Sequence, residues 1–388
     1  MTTQPGAGGK GFWRAAGWCA GAARWPASAR SAGCARREAR ACGSKQRGSS
    51  SSSGERCRAS RWGSSRAYRR RRRDWRSADM RTFSSFAKLN LHLAVLGRRG
   101  DGFHELLTLF QTIDLPDRLR IGPRPVPGVE LGILGGGLPA DARNLAWRAA
   151  ESFLAAFPEA PFAGVRIELE KGIPAGGGLG GGSADAATVL LALAELAGLD
   201  PHSAEVSARL RALAVPLGAD VPFFLVGGTA LGRGRGDRIE ALPDGVRPLA
   251  GGRTLMLAIP PFPLSTAEVF ARWHGEGEPP DLPAGVASLV AGAPVGIEEL
   301  IGRNDLEAPA FAIRPELGAL YTSLVDSGAE RVRMSGSGST LFALYADPET
   351  AAAAGRRLPS GTVWRRVSPL GRVAWRAAGG HLASGGGE

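Results

Sequence analysis

The stretch that most constrains this chain is KGIPAGGGLGGGSADAATVLLALAEL, residues 171–196. Six glycines separate Ala175 from Ser183, interrupted only by Leu179. The run VRIELE before it, residues 165–170, alternates with the period of a half-buried strand. After it, residues 184–196 are rich in Ala and Leu, with apolar positions at helical spacing. The order is strand, glycine loop, helix, with Ser183 placed to cap the helix. A loop without Cβ atoms lets backbone N–H groups converge on an anion. The helix N-terminus adds unpaired donors and the positive end of its dipole. Phosphate is the ligand that such a loop predicts. No Gly-Lys-Ser/Thr follows the glycines, which excludes a Walker loop, and the run is too glycine-dense for a dinucleotide fingerprint. A compositional origin is the alternative, since the chain has 56 glycines and another triplet at Gly135, Gly136 and Gly137. Only the run at 176–182, however, lies between a strand pattern and a helix pattern.

From residue 80 onward the chain uses arginine almost everywhere, and its only lysines are Lys88 and Lys171. Lysine is a compact point charge where arginine is a planar fork, so both lysines are candidate site cations. Lys88 lies on a strand pattern at 83–96, two residues before Asn90; a surface lysine at a strand edge is the plain alternative. Asp101 and Gly102 form a turn. Phe103 after it offers a face to a flat ring, and His104 offers nitrogens to that ring's edge. An ordinary turn histidine would look the same. Asp220, in LGADVPF at 217–223, sits between small residues and an apolar run that would orient and partly desolvate a carboxylate. A helix-capping aspartate fits those residues equally well. A second glycine loop, GSGST at 336–340, can present backbone donors to an anion or simply turn a hairpin.

The remaining pattern predicts strands at 107–114, 119–121, 254–259 and 341–345, with a final one within 363–373. Helices are predicted at 145–157, 203–214, 317–326 and 348–358, and a helical segment opens at 304–307. Residues 232–236 read as turn and linker, and 275–294 as a Gly/Pro-rich loop. Strands and helices mix irregularly, which favours α+β over a repeating βα architecture.

PAGGGLGGGSADAA, residues 174–187, resembles the phosphate loop of the GHMP kinases, the galactose, homoserine, mevalonate and phosphomevalonate kinase superfamily. FAKLNL at 86–91 with DGFH at 101–104, LGADVPF, and MSGSGSTLF at 334–342 resemble its other motifs in the same order. The pairing of AKLN with DGFH is similar to the branch whose alcohol substrate carries a cytidine diphosphate. The resemblance runs from about residue 80 to about residue 376. It implies two α+β domains, 80–245 and 246–376, with the active site in the inter-domain cleft, and a frayed tail at 377–388. It also implies ATP as phosphoryl donor and Mg2+ carried with it. The small-molecule substrate implied is 4-diphosphocytidyl-2-C-methyl-D-erythritol, phosphorylated on its 2-hydroxyl.

By the same resemblance Asp220 is the catalytic base and Lys88 its electrostatic partner. The ATP-binding positions are Pro174, Ala175, Gly176, Gly177, Gly178, Leu179, Gly180, Gly181, Gly182, Ser183 and Ala184, with Asn144 and Lys171 at the nucleotide. Ser183 is placed to reach the magnesium, and no protein metal site is assigned. The substrate-binding positions are Asn90, Phe103, His104, Thr266, Phe270, Gly336 and Gly338. Phe103 and His104 read the cytosine, and Phe270 forms the other wall. Tyrosine is commoner in the family at position 103; phenylalanine keeps the stack and lacks the hydroxyl. Another GHMP kinase, acting on mevalonate, homoserine or a sugar, would have no use for Phe103, His104 or Phe270.

The formal charge of +12 misleads as a whole-chain number. Of 48 Lys/Arg and 36 Asp/Glu, the first 79 residues hold 19 and four, which leaves 29 and 32 for the rest. The body is therefore slightly acidic and gives no whole-domain argument for nucleic acid. The first 79 residues show no hydrophobic period and are expected to form no packed fold. They are read as sequence upstream of a true start at Met80. A plastid transit peptide and a nucleic-acid-binding arm built on the run Arg69 to Arg73 are the alternatives. All four cysteines (Cys19, Cys34, Cys42, Cys57) lie there, so the body needs neither disulfides nor thiolate-bound metal, which suits a cytoplasmic enzyme. No apolar run reaches a membrane-spanning length of about 18 residues. The expected assembly is a monomer or homodimer with no membrane and no nucleic-acid partner.

Overall fold

The computed structural model describes residues 80–135, 137–249, 252–275 and 281–379. The basic extension and the tail from residue 380, with the readings made of them, lie outside the described residues. Both sheets belong to one compact unit of the chain.

The first sheet is organised on two long strands, β1 (Arg81–Arg98) and β2 (His104–Arg124), which pair antiparallel from one end of β1 to the other. Sequence pattern predicts two short strands where β2 runs unbroken. Pro116, inside β2, lies opposite Phe86 at a register shift, where no ladder N–H is required. The other edge of β2 is shared. β4 (Gly164–Glu170) pairs with its C-terminal end and β5 (Thr229–Gly234) with its N-terminal end. β3 (Gly128–Leu134), unforeseen because glycine and exposed polar positions dilute its alternation, extends the sheet parallel to β4. β6 (Arg238–Ala241) closes the far side on β5. Residues 229–234 are thus a strand, and the expected turn shrinks to the three residues that follow.

Helices α1 (Leu145–Ala156), α2 (Gly181–Leu196), α3 (Ala204–Leu217) and the single turn α4 (Val221–Phe224) cover this sheet. Residues 184–194 of α2 are buried without exception, Asp185 included. A helix apolar on every side belongs in a core, and each fully buried Leu or Val contributes roughly 1.5–3 kcal/mol. Its start corrects the sequence reading. Gly180, in the left-handed region at φ 73°, occupies the N-cap position, so Ser183 falls inside the first turn. No L side chain adopts that conformation cheaply.

The second sheet orders β10 (Val363–Val367), β7 (Thr254–Ile259), β9 (Leu341–Tyr345) and β8 (Arg331–Met334) antiparallel. Around it lie α5 (Thr266–Ala271), α6 (Ala284–Val290), α7 (Glu307–Ile313), α8 (Pro315–Asp326) and α9 (Pro348–Arg356), whereas α10 (Arg372–Gly379) returns to the first sheet and buries Trp375 in its core. α6 stands where a loop was expected, and α10 carries ordered structure past residue 376. Alternation along β1 joins the two sheets. Ala87, Leu89 and Leu91 pack with Leu255, Leu257 and Phe342, which sends Lys88 and Asn90 to the opposite face. No helix among the described residues is long and apolar enough to cross a membrane.

Candidate active site

A cleft of about 1370 Å³ is lined by β1, the glycine loop, the start of α4, α5 and the second glycine loop. The glycine loop forms one wall. Its carbonyls are used by the protein: Gly177 O accepts from Thr340 N, Leu179 O from Lys88 N, Gly180 O from Ala184 N, and Gly178 O from Ser335 Oγ. Among the described residues, no hydrogen bond to a protein acceptor is made by the amides of Gly176 or of Gly178 to Gly182. A row of buttressed carbonyls and unclaimed N–H groups at a helix N-terminus is what an oligophosphate requires. Gly178 shows why the loop needs glycine. Its φ is 77°, and a Cβ there would lie 2.1 Å from the Ser335 carbonyl oxygen. Positions 174–183 all line the cleft, whereas Ala184 is buried behind it.

Lys88 is only 3% exposed. Its Nζ donates to Asn90 Oδ1 at 2.5 Å and lies 3.5 Å from Asp220 Oδ2. Asn90 is oriented in turn, because Nδ2 donates to Thr108 Oγ1 at 2.7 Å and Thr108 donates to the His92 carbonyl at 2.8 Å. Asp220 occupies the N-cap position of α4 but makes no capping bond. Its carboxylate faces the ammonium and the cleft, which removes the structural reading open at the sequence level.

The other lysine is placed differently from the expectation. Lys171 lines the cleft, but its Nζ pairs with Asp117 and, at 2.7 Å, with Asp185 Oδ2. Asp117 Oδ1 accepts from the amides of Gly172 and Ile173, and Asp185 Oδ1 accepts from Ser85 Oγ at 2.6 Å. Two buried carboxylates therefore share one ammonium. Burial, opposed by the Lys171 charge, pushes the Asp185 carboxyl up to about 7. The net effect on Lys171 is upward, because its two carboxylate partners outweigh its own burial. The network clamps the segment entering the glycine loop. Sequence reasoning missed Asp117 and Asp185; an aspartate near the start of a largely apolar helix, just past its first turn, was the available signal. Asn144 also lines the cleft while serving as N-cap of α1, with its Oδ1 accepting from Ala146 N and its Nδ2 donating to Pro139 O.

At the far end His104 stacks on Phe270 at 5.1 Å and meets Trp273 edge-on at 5.5 Å. His104 Nε2 is buried without a protein partner, and burial followed by the Arg98 charge lowers the imidazole below its usual value. A neutral ring with a spare nitrogen is left for a ligand. Phe103 is 53% exposed beside it. Thr266 Oγ1 and Ser337 Oγ lie 2.9 Å apart, and Gly336 lines the cleft. Gly336 O accepts from Asn304 Nδ2 at 2.8 Å, a support that sequence reasoning did not foresee. Gly338, expected to touch substrate, gives its amide to Ser335 O and packs behind Gly178. Its part is to back the first loop.

An unpaired amide row facing a lysine–carboxylate couple defines a small-molecule phosphotransferase. Residues 144–228 match the family described as GHMP kinases N terminal domain, and 286–361 match GHMP kinases C terminal. A 4-diphosphocytidyl-2-C-methyl-D-erythritol kinase of Moorella thermoacetica is 42% identical over 287 residues, covering 72% of this chain and 95% of its own. One from Pelotomaculum thermopropionicum is 44% identical over 269 residues, covering 68% and 89%. A crystal structure of 4-(cytidine 5'-diphospho)-2C-methyl-D-erythritol kinase superposes with TM-score 0.60 at 40% identity, over 75% of this chain and all of that one. A homoserine kinase from Cytophaga hutchinsonii, at 21% identity and TM-score 0.55, shares the fold.

The chain is thus a GHMP kinase, a class that uses ATP. Within that class it belongs to the family of the 4-diphosphocytidyl-2-C-methyl-D-erythritol kinases.

Proposed function

We propose that the protein transfers the γ-phosphoryl group of ATP to the 2-hydroxyl of 4-diphosphocytidyl-2-C-methyl-D-erythritol, with residues 80–245 and 246–376 as its two lobes. The observation that carries this reading is the 3.5 Å approach of Lys88 Nζ to Asp220 Oδ2 inside the cleft. The unclaimed loop amides line that cleft on one side and the aromatic group on another.

Phosphoryl transfer is chiefly a matter of in-line positioning and charge stabilisation. The amides from Ala175 to Ser183 hold the triphosphate. Asp220 accepts the proton as the alcohol O–H bond breaks and the new O–P bond forms; the bond from the γ-phosphorus to the β-bridging oxygen breaks, and ADP leaves. Lys88, fixed by Asn90, stands where alkoxide charge develops. His104 and Phe270 receive the pyrimidine, with Phe103 opposite. No group of three or more His, Cys, Asp or Glu among the described residues could hold a metal, and both Asp185 oxygens are already engaged. Ser183, which lines the cleft, is the residue that would reach an ion carried by the nucleotide. Mg2+ so placed would neutralise phosphate charge.

ADP release tests the assignment, measured on the full chain with the diphosphocytidyl alcohol, mevalonate, homoserine and galactose in parallel. Turnover with the first is expected. Turnover confined to an alcohol lacking the cytidine diphosphate would overturn the substrate assignment.

A further inference from the structure

Phe103 poses a problem. An aromatic wall for a pyrimidine must be held still, yet this ring is 53% exposed and has no hydroxyl with which to anchor itself. The turn that carries it is well fixed. Phe103 O accepts from Arg99 N at 2.8 Å, Phe103 N donates to Asp101 Oδ1 at 3.2 Å, and Arg99 forks onto both Asp101 and Glu105. Glu105 also accepts from Gly234 N at 3.2 Å, which ties this turn to the one between β5 and β6. The two turns are neighbours because β2 and β5 pair Leu106 with Gly234.

From that second turn Arg235 lays its guanidinium over the Phe103 ring, with Cζ 4.9 Å from the centroid. Arg235 is itself held. Asp237 Oδ2 takes Nε and Nη2 at 3.1 and 3.0 Å, and Asp237 Oδ1 takes the Arg235 amide at 3.1 Å. Both Phe103 and Arg235 line the cleft.

We infer that Arg235 is a positioning residue for base recognition: stacked on one face of Phe103 and pinned by Asp237, it holds that ring so the opposite face can receive the cytosine. Asp237 also decides against a competing role. A guanidinium already forked onto a carboxylate presents little net charge to a diphosphate, so it acts through the ring and not on the substrate's phosphates. The stack supplies what a tyrosine hydroxyl would otherwise have to supply by hydrogen bonding. The inference rests on the substrate reading above and adds to it a residue at the base end of the cleft.

The test is a double-mutant cycle read on CDP itself, by calorimetric titration of the full chain, with turnover of the diphosphocytidyl alcohol measured in parallel. Loss of an exposed cation–π contact corresponds to roughly a two- to fivefold change in affinity, and loss of a base–aromatic stack to about fivefold or more. Arg235→Ala is expected to weaken CDP about two- to fivefold and to raise the alcohol KM equally, with kcat and the ATP KM held. Phe103→Leu is expected to weaken CDP more. Adding Arg235→Ala to Phe103→Leu is expected to change nothing further, because the ring through which Arg235 acts is gone. Arg235→Lys, which keeps the charge but not the fork, should fall between. Arg235→Gln serves if the alanine variant melts early. The inference is overturned if Arg235→Ala leaves CDP affinity unchanged, or if its full effect persists in Phe103→Leu, which would mean direct contact with the ligand. Failure of the wild-type chain to phosphorylate the alcohol while the CDP cycle holds would instead strike the substrate reading alone.

Discussion

Replacing Lys88 by methionine keeps the length of the side chain and removes its charge. Lys88 Nζ lies 3.5 Å from Asp220 Oδ2. Coulomb's law at an effective dielectric of about 20 gives roughly 5 kcal/mol for such a pair. The Asp220 side chain is 32% exposed, so solvent screening lowers this to about 3 kcal/mol. A preorganised charge aimed at a developing oxyanion is worth a comparable amount, roughly 10²–10³ in kcat. Lys88→Met should therefore lower kcat by about two to three orders of magnitude. The glycine loop is carried by backbone bonds, among them Lys88 N to Leu179 O, which the substitution retains. The ATP KM should accordingly move less than about threefold. Lys88→Arg should not rescue, because Gly180 approaches the Lys88 stem closely and leaves a planar fork no room. Steady-state ADP release with both substrates varied separates these quantities. A Lys88→Met enzyme within threefold of wild-type kcat would refute the assignment of alkoxide charge to this ammonium.

Three other perturbations probe the supports. Gly178→Ala places a methyl against the Ser335 carbonyl in a left-handed conformation that costs about 1–2 kcal/mol by itself, so the ATP KM should rise at least about tenfold in initial-rate measurements. Lys171→Met leaves Asp117 and Asp185 buried without their cation and should lower unfolding stability by about 3–5 kcal/mol in urea; Lys171→Met with Asp185→Asn should recover part of that loss. His92 is lowered to about 4 by burial and the Arg303 charge, so its neutral form belongs to the fold. The stability it contributes is complete above its unfolded value of about 6.5 and is lost as pH falls toward 4, up to about 3 kcal/mol. Melting curves from pH 7 to 4 should show a steeper acid loss for the wild type than for His92→Leu, and parallel curves would contradict the reading.

Much of the site could be read in the chain because its parts are local. Strand, glycine run and helix follow one another within residues 164–196, and each declares itself by period or composition. Lys88 stood out because arginine replaces lysine almost everywhere else in the body. What stayed hidden depends on distant pairing. Asp220 reads equally well as a helix cap until Lys88 is brought beside it. Lys171 reads as a nucleotide contact until Asp117 and Asp185, from β2 and α2, are seen to take its ammonium. Gly338 belongs to a motif that looks uniformly exposed, yet its amide closes on Ser335. β3 carries too much glycine to show a strand period, and the gap expected between 114 and 119 is bridged by Pro116 at a register shift with Phe86, which is a property of the pairing.

The most direct test of the central claim is ADP release by Asp220→Asn, set beside wild type with saturating ATP and the diphosphocytidyl alcohol. Asparagine preserves shape and removes the proton acceptor, so kcat should drop by about 10²–10⁴ while ATP affinity holds. Near-normal turnover by that variant would contradict the account, because the alcohol proton would then leave by a route that Asp220 does not provide.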